Sequence, residues 1–271
     1  MGLLALVALP VIVISARISL AVLINRLCPY PSKKRICLLI AHCDDEAMFF
    51  SPTVIRLAAP ALQNHVEILC LSNGEDPALR STRSDELLRS AANLGLKSPQ
   101  DVTCLDDEDS YPDSMTTYWS SDKVTEALSV KYASGTSPSL DIIITFDHKG
   151  ISSHANHISL LAGARHYIQS SSTSNQANVA LYSLITTNIV RKYLAIFDVP
   201  LSLILYLLHR APTAPYSSLP DRMLFFSNFS GYRKAQRSMT NCHKSQMLWF
   251  RYGWIFLSRY ISTNDLVRQH V

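Results

Sequence analysis

Two polar segments of this chain carry the residue types that bind metal ions and move protons. They read His42-Cys43-Asp44-Asp45-Glu46 and His154-Ala155-Asn156-His157. Imidazole and carboxylate groups are ligands for zinc and related divalent cations. Two histidines three residues apart share one face at the start of a helix. With a histidine and an aspartate from the first segment, they would complete a three-ligand site with an open position for water.

Each segment also has an ordinary interpretation. Acidic residues at the start of a helix are favoured by its dipole, and a single histidine there is an ordinary polar residue. The position of the segments favours a site, because each directly follows an apolar run, residues 36–41 or 142–146, that is typical of a buried parallel strand. Ligands of open α/β sheets bind beyond the carboxyl ends of the strands. We therefore expect both segments to meet at one edge of a sheet.

The rest of the chain alternates apolar runs with segments of helix length. The predicted elements are further strands at 66–71 and 179–185, helices at 47–62, 80–94 and 154–168, and a polar loop at 169–178. This alternation predicts an α/β domain, specifically a Rossmann-like three-layer fold with a mostly parallel sheet.

The N-terminal residues 1–25 are predicted to form a transmembrane anchor helix, because about 20 apolar residues can cross a bilayer. Arg17 conflicts with this, since a charge near mid-span is costly. A cleaved signal peptide is the alternative, but no basic region precedes the apolar run. Basic residues follow it in the stalk at 26–34, which places the rest of the chain in the cytosol. That rest divides into a catalytic domain at 35–262 and a C-terminal tail at 263–271.

Composition excludes several classes of protein. Hydrophobic residues make up 48% of the 271 residues and charged residues 17%, which excludes a disordered chain and a polytopic membrane protein. The net charge of +4 comes without a dense basic run, so no nucleic-acid partner is expected. None of the six cysteines forms a C-x-x-C pair, which indicates a reducing compartment rather than a disulfide framework.

With these residues in view, the chain resembles the PIG-L/LmbE-like zinc de-N-acetylase family. The first segment with Ala41 resembles the family's A-H-P-D-D-E signature, and the second resembles its H-x-x-H signature. Weaker matches are Asn73-Gly74 with Arg83 and Glu86-Leu87, similar to a turn and an R-x-x-E-L helix, and His243-Lys244-Ser245-Gln246, similar to an H-x-S-Q element.

The chain departs from the family at Cys43, where the signature has a proline that stiffens the turn. The Cys43 thiolate could compete for zinc or simply point away.

The resemblance implies a role for each matching residue. His42, Asp45 and His157 would bind the metal, with Zn²⁺ as the expected ion and iron or cobalt as alternatives. Asp44 would be the general base. His154 would stabilise the tetrahedral oxyanion as an imidazolium.

Three further residues are candidates for substrate contacts, namely Arg83, Asp106 and His243. The alternatives are an ordinary surface arginine, a solvated acidic loop and a structural histidine.

The chain is most similar to the eukaryotic branch of the family, by its N-terminal segment and by residues 242–251. The resemblance implies hydrolysis of the N-acetyl group of N-acetylglucosaminyl-phosphatidylinositol to the glucosaminyl lipid and acetate, the second step of glycosylphosphatidylinositol-anchor synthesis. It also implies a single-pass protein of the endoplasmic reticulum membrane that faces the cytosol. The alternatives are deacetylation of another N-acetylglucosamine conjugate and a non-catalytic, membrane-tethered binding module. Residues 201–208 and 247–261 could contact the membrane or form packed helices.

Overall fold

The computed structural model describes residues 2–132, 139–170, 179–209 and 219–271, of which residues 2–10, 12 and 13 are described by their backbone alone. The strands are β1 Arg35–His42, β2 His65–Ser72, β3 Val102–Cys104, β4 Ile142–Phe146, β5 Ala180–Leu184, β6 Arg222–Phe226 and β7 Thr263–Gln269. The α-helices are α1 Gly2–Leu27, α2 Asp45–Met48, α3 Ser51–Leu57, α4 Arg80–Leu94, α5 Ser121–Lys131, α6 Gly150–Ser153, α7 Ala155–Ser170, α8 Ile189–Lys192, α9 Val199–His209, α10 Phe229–Arg237 and α11 Trp249–Leu257. Short 3-10 turns lie at Pro60–Leu62, Pro99–Asp101, Ala195–Asp198, Lys244–Gln246 and Arg259–Ile261, and a π-helical turn at Ser238–Cys242.

The seven strands form one sheet in the order β3-β2-β1-β4-β5-β7-β6. Strands β1 to β5 pair in parallel, and β6 runs in the same direction, while β7 is antiparallel to both of its neighbours. Strands β1, β2, β4 and β5 are buried almost throughout, as expected for parallel strands covered on both faces. The predicted α/β class with a mostly parallel sheet is confirmed.

The helices pack in two groups. Helices α5 and α7 pack against each other, and α7 lies on β1 and β4, whereas α3, α4 and α10 contact one another. The close approach of α5 and α7 depends on Gly163, because a Cβ atom there would lie 2.3 Å from the Cβ of Val124. Both groups anchor the elements that carry the polar segments.

The sheet order brings those segments together. From β1 the chain proceeds outward through β2 and β3, then returns to β4 on the other side of β1 and continues to β5. Strands β1 and β4 are therefore neighbours at the point where the strand order reverses, where open α/β sheets place their ligands. His42 ends β1, and the second polar segment begins soon after β4.

Two expectations about the body of the chain were wrong. Residues 47–62 do not form one helix, because the backbone leaves the helical path at Phe49 and Phe50 and α3 starts again with Pro52 in its first turn. Proline is tolerated there, since its missing N–H has no partner in a first turn. Residues 263–271 are not a tail, because β7 lies inside the sheet between β5 and β6. Of the predicted loop at 169–178, residues 169 and 170 belong to α7, and 171–178 lie outside the described residues.

The N-terminal segment forms α1 and packs on the domain through its second half. Arg17 is only 6% exposed, and its guanidinium donates hydrogen bonds to the Ser227 carbonyl at 3.3 Å and to the Ser262 hydroxyl at 2.9 Å. Ala21 and Ile24 are buried in a cluster that includes residues of α9 and β6. Arg17 is thus paired by the protein. Within the described residues, no helix has the length and apolar character needed to cross a membrane.

Candidate active site

His42, Asp45 and His157 meet at the carboxyl ends of β1 and β4. The Nδ1 atom of His42 lies 3.3 Å from Nε2 of His157, and the Asp45 carboxylate lies 3.2 Å from His157 and 3.8 Å from His42. All three side chains are buried, and their ligand atoms lie within 4.8 Å of one another. The prediction that these residues converge is confirmed.

The outer atoms of the three side chains are held by the protein, so their inner atoms face one another. Nδ1 of His157 lies 3.1 Å from the Gly150 carbonyl, and Nε2 of His42 lies 3.1 Å from the Asp113 carboxylate. One oxygen of Asp45 accepts two backbone N–H groups at the end of β1, at 3.0 and 2.9 Å. This leaves His42 Nδ1, His157 Nε2 and one Asp45 oxygen to converge, a donor set that fits a divalent cation such as zinc.

The electrostatics of the cluster favour a positive charge. Burial by itself lowers the pKa of His42, but hydrogen bonds to Asp113 and Asp45 outweigh it and raise the pKa to about 10. Burial raises the pKa of Asp45, but the neighbouring His157 and His42 hold it well below its usual value. The buried carboxylates therefore stay ionised and stabilise a cation, whether a proton or a metal ion.

Asp44 is not one of the converging ligands of this donor set, and it contacts α11. Its carboxylate forms an ion pair with the guanidinium of Arg251. Burial raises the pKa of Asp44, but the charges of Arg251, Arg83 and His243 together outweigh burial and hold the pKa below its usual value. Asp44 is consequently ionised at neutral pH, as a general base must be.

His154 stands beside the donor set, where it was expected. Its ring centroid lies 4.7 Å from that of His42 and 4.8 Å from that of His157, and its Nε2 lies 3.8 Å from the Asp113 carboxylate. Burial, together with the charges of His42 and His157, lowers the pKa of His154 to about 4. This lowering of the pKa favours a neutral ring at pH 7, with a single N–H donor, over the expected imidazolium.

Arg83 is a buried part of the site rather than a surface arginine. Its guanidinium lies 3.7 Å from the Asp113 carboxylate. Gly74 makes this path possible, because it adopts φ +102° and a Cβ atom there would lie 1.6 Å from Arg83 Nη1. Arg83 remains a candidate for contact with an anionic or sugar group of the substrate.

The other two candidate substrate contacts are placed elsewhere. Asp106 is exposed and pairs with Arg80 at 3.7 Å. His243 is fully buried, and its Nε2 lies 2.7 Å from the Glu46 carboxylate. His243 therefore cannot contact substrate as predicted, and instead braces the turn that carries Asp44 and Asp45.

Three residues of the site were missed by sequence reasoning. They are Asp113, Asn156 and Arg251. Asn156 accepts a hydrogen bond from the Ser114 amide at 2.9 Å and lies 3.2 Å from His42 Nε2, so it ties the loop carrying Asp113 to the donor set. Asp113 lies in the same acidic stretch of sequence as Asp106, and Asn156 lies inside the H-x-x-H signature, but nothing in either pattern distinguished them.

Cys43 is directed away from the donor set. Its sulfur lies 3.2 Å from Cys104 Sγ and 3.9 Å from Cys70 Sγ. The proline-to-cysteine departure thus leaves the three converging side chains intact, which was the simpler of the two alternatives.

Comparisons with known proteins point to one family. Residues 37–168 match the family described as PIG-L: GlcNAc-PI de-N-acetylase. The N-acetylglucosaminyl-phosphatidylinositol de-N-acetylase of Arthroderma benhamiae is 36% identical over 90% of this chain and 89% of its own length. The protein of that name from Bos taurus is 34% identical over 86% of this chain and 82% of its own length.

Solved structures share the fold at low sequence identity. The hydratase GalB from Pseudomonas putida KT2440 has a TM-score of 0.54 at 14% identity, covering 88% of this chain and 97% of its own. The N,N'-diacetylchitobiose deacetylase from Pyrococcus horikoshii has a TM-score of 0.52 at 14% identity, covering 87% and 84%. A hydratase and a deacetylase share this fold, so the fold alone does not decide the reaction.

Proposed function

This chain belongs to the GlcNAc-PI de-N-acetylase family, and from that premise we propose that it hydrolyses the N-acetyl group of N-acetylglucosaminyl-phosphatidylinositol. The products are glucosaminyl-phosphatidylinositol and acetate, which makes the reaction the second step of glycosylphosphatidylinositol-anchor synthesis. The observation that carries the proposal is the buried donor set of His42, Asp45 and His157, with Asp44 and His154 at its border.

The residues around the donor set suit amide hydrolysis. A divalent metal held by His42, Asp45 and His157, most simply zinc, would polarise the amide carbonyl and lower the pKa of water toward about 7. Asp44 is ionised and accepts the proton of the attacking water. Arg251 holds that carboxylate in place without neutralising it by proton transfer, since arginine keeps its charge.

The remaining steps need a hydrogen-bond donor and a proton for the leaving group. The neutral ring of His154 donates one N–H to the oxyanion that develops on the carbonyl oxygen. The proton held by Asp44 then passes to the departing nitrogen, so the amide C–N bond breaks to give acetate and the free amine. Water is consumed and no other reactant is needed.

Replacing Arg251 by leucine is expected to move the acidic limb of the activity profile to higher pH. Arg251 stabilises the ionised form of Asp44, so without it the pKa of Asp44 rises and the base is protonated at higher pH. Below the pKa, each unit of increase lowers the ionised fraction about tenfold. The measurement is kcat/KM against pH, with Arg89→Leu, an exposed arginine of α4, as control. An unchanged acidic limb in Arg251→Leu would contradict the assigned base.

We further propose that the outer faces of α9 and α11, here called the α9–α11 surface, lie on the lipid bilayer that carries the substrate. Trp249 is 86% exposed and Phe256 67%, and α9 exposes Leu201, Ile204 and Leu208. Exposed aromatic and aliphatic side chains in such numbers mark an interaction surface. Their composition is typical of helices that lie in a membrane interface.

The α9–α11 surface is linked to the catalytic centre by side-chain contacts. Arg251 joins α11 to Asp44, and the 3-10 turn after α11 is tied to the start of α9 by Arg259, which binds Asp198 at 2.7 Å and Ser202 at 2.8 Å. Beside α11, a cavity of about 350 Å³ is lined by Arg233 and other residues of α10 together with α11 residues. Basic groups next to exposed aromatics suit an anionic lipid surface.

For the location of the chain, we propose the endoplasmic reticulum membrane with the catalytic domain in the cytosol and residues 1–25 as a single-pass anchor. To cross the bilayer, α1 would have to leave the contacts that Arg17, Ala21 and Ile24 make with the domain. The names of the relatives and the basic residues at 26–34 support this. Complete release of the chain by alkaline carbonate would contradict an anchor that crosses the bilayer.

Replacing Trp249 and Phe256 together by alanine is expected to weaken binding to vesicles that contain phosphatidylinositol by at least about tenfold. Burying each large apolar side chain contributes roughly 1.5 to 3 kcal/mol, and tenfold corresponds to about 1.4 kcal/mol. The measurement is vesicle co-flotation, with kcat on a short-chain soluble substrate measured in parallel. The matched control is Val130→Ala, an equally exposed apolar residue on α5. Equal vesicle binding of the variant and wild type would exclude this surface as the membrane contact.

The function is tested by acetate release from N-acetylglucosaminyl-phosphatidylinositol in membranes that hold the protein. We expect release that a chelator abolishes and added zinc restores. Release only from a different N-acetylglucosamine conjugate would assign another substrate to the same chemistry. A folded protein that binds the glycolipid but releases no acetate under any metal condition would indicate a non-catalytic, membrane-tethered binding module instead of an enzyme.

A further inference from the structure

A second group of metal-binding side chains lies at the ends of the three strands on one side of the sheet. Cys43 directly follows β1, Cys70 lies in β2 and Cys104 ends β3. Cys43 Sγ lies 3.2 Å from Cys104 Sγ and 3.9 Å from Cys70 Sγ, and all three sulfur atoms lie within 4.8 Å of one another. This three-cysteine cluster shares no residue with the donor set of the active site.

The surroundings of the cluster would shield a bound cation from water and would still allow the cation to enter. Cys43 and Cys70 are fully buried, whereas Cys104 is partly exposed and opens the cluster to solvent. Among the described side chains, no histidine or carboxylate joins the three sulfurs as a fourth ligand. Hydrogen bonds to Cys43 and Cys70, with the nearby charge of Arg83, lower the pKa of the Cys104 thiol to about 4, so the cluster offers one thiolate at its exposed side.

A metal ion fits the spacing better than a disulfide. All three sulfur atoms converge, whereas a disulfide would join two of them and leave the third outside the bond. The shortest sulfur–sulfur distance, 3.2 Å, is well beyond a disulfide bond, and all six cysteines are free thiols in the structure. Three sulfurs at about 2.3 Å from one central ion lie roughly 4 Å from each other, close to the spacing of the cluster.

We propose that Cys43, Cys70 and Cys104 form a second metal site, which binds a soft monovalent cation, Cu⁺, through three thiolates. Thiolates select soft ions, and zinc sites of the structural kind are almost always four-coordinate. The bound ion cross-links the turn between His42 and Asp44 to β2 and β3. It thereby restrains the turn that has lost the stiffening effect of proline at position 43.

The proposal is tested on the full-length protein by anaerobic titration with Cu⁺ in the presence of excess Zn²⁺. We expect one Cu⁺ per chain by mass spectrometry under native conditions, with a near-ultraviolet thiolate-to-copper absorption band. In wild type, bound Cu⁺ should also protect Cys104 from alkylation by iodoacetamide. Cys104→Ser should lose the band and the bound copper.

Two controls keep the test specific. Cys242→Ser removes a cysteine outside the cluster and should leave copper binding unchanged, as should His157→Ala, which disrupts the separate donor set. Circular dichroism checks that Cys104→Ser is folded. The alkylation experiment uses the wild-type protein, so its result does not depend on whether a variant folds. The proposal is overturned if Cu⁺ leaves Cys104 reactive, if the band persists in Cys104→Ser, or if the unreduced protein shows a Cys43–Cys104 disulfide by peptide mass.

Discussion

Replacing Asp44 by asparagine is expected to lower kcat for acetate release by about two orders of magnitude or more, the range for loss of a positioned general base. The physical reason is that an amide has nearly the shape of a carboxylate but cannot accept the proton of the attacking water. Asp44 does not belong to the donor set, because its carboxylate faces Arg251 on α11. The variant should therefore keep its metal, and KM should change little. The measurement combines steady-state kinetics with the metal content of the purified protein.

Asp122→Asn is a suitable control for this variant, since Asp122 is an exposed aspartate on α5 that pairs with the exposed ring of His166. It should behave as wild type. If Asp44→Asn retained full activity with its metal bound, Asp44 would not be the base, and the binding-module interpretation would gain weight. If Asp44→Asn lost both activity and metal, Asp44 would belong to the metal site instead.

Replacing His157 by alanine should remove the metal and lower activity by about three orders of magnitude or more, because polarisation of the carbonyl and activation of water together contribute several kcal/mol. His157 supplies one of three converging donors, and its ring is oriented by Gly150. Two donors, His42 and Asp45, would remain in place, too few to fill a three-ligand site. The metal content of the purified variant gives a readout that does not depend on turnover.

Thermal unfolding provides a second readout for the same variant. A metal present at about a hundred times its Kd stabilises the folded state by about 2.7 kcal/mol, so a chelator should lower the Tm of wild type and leave His157→Ala unaffected. His166→Ala is the matched control, because His166 lies on the same helix and forms an exposed ion pair with Asp122. A chelator effect of equal size in all three proteins would show that the metal binds elsewhere.

The proposed membrane contact and the catalytic centre share one structural element. Helix α11 exposes Trp249 and Phe256 on one side and directs Arg251 to Asp44 on the other. Contact of α11 with a bilayer would therefore act on the residue that sets the pKa of the base. Comparing the pH profile of wild type on soluble and vesicle-borne substrate would reveal such coupling as a shift of the acidic limb.

The sequence by itself determined the sheet class, the two polar segments and their meeting point. This was possible because parallel strands have nearly continuous apolar runs, and because their carboxyl ends share one edge of the sheet. His42 and Asp45 follow one such run and His157 follows another, so their convergence needed no knowledge of side-chain packing. The matches to family signatures then separated the metal-binding and proton-transfer roles, which residue types alone left open.

The tertiary structure decided what depends on contacts between distant parts of the chain. Arg251 reaches Asp44 across 207 residues, and His243 reaches Glu46 across 197. No periodicity of the sequence encodes such a pairing. The same holds for β7, whose polar residues, such as Asn264 and Asp265, are buried because Thr53, Phe49 and Arg222 satisfy their hydrogen bonds. Local patterns specify which backbone elements form, whereas the partner of each buried polar group is specified only when the elements pack.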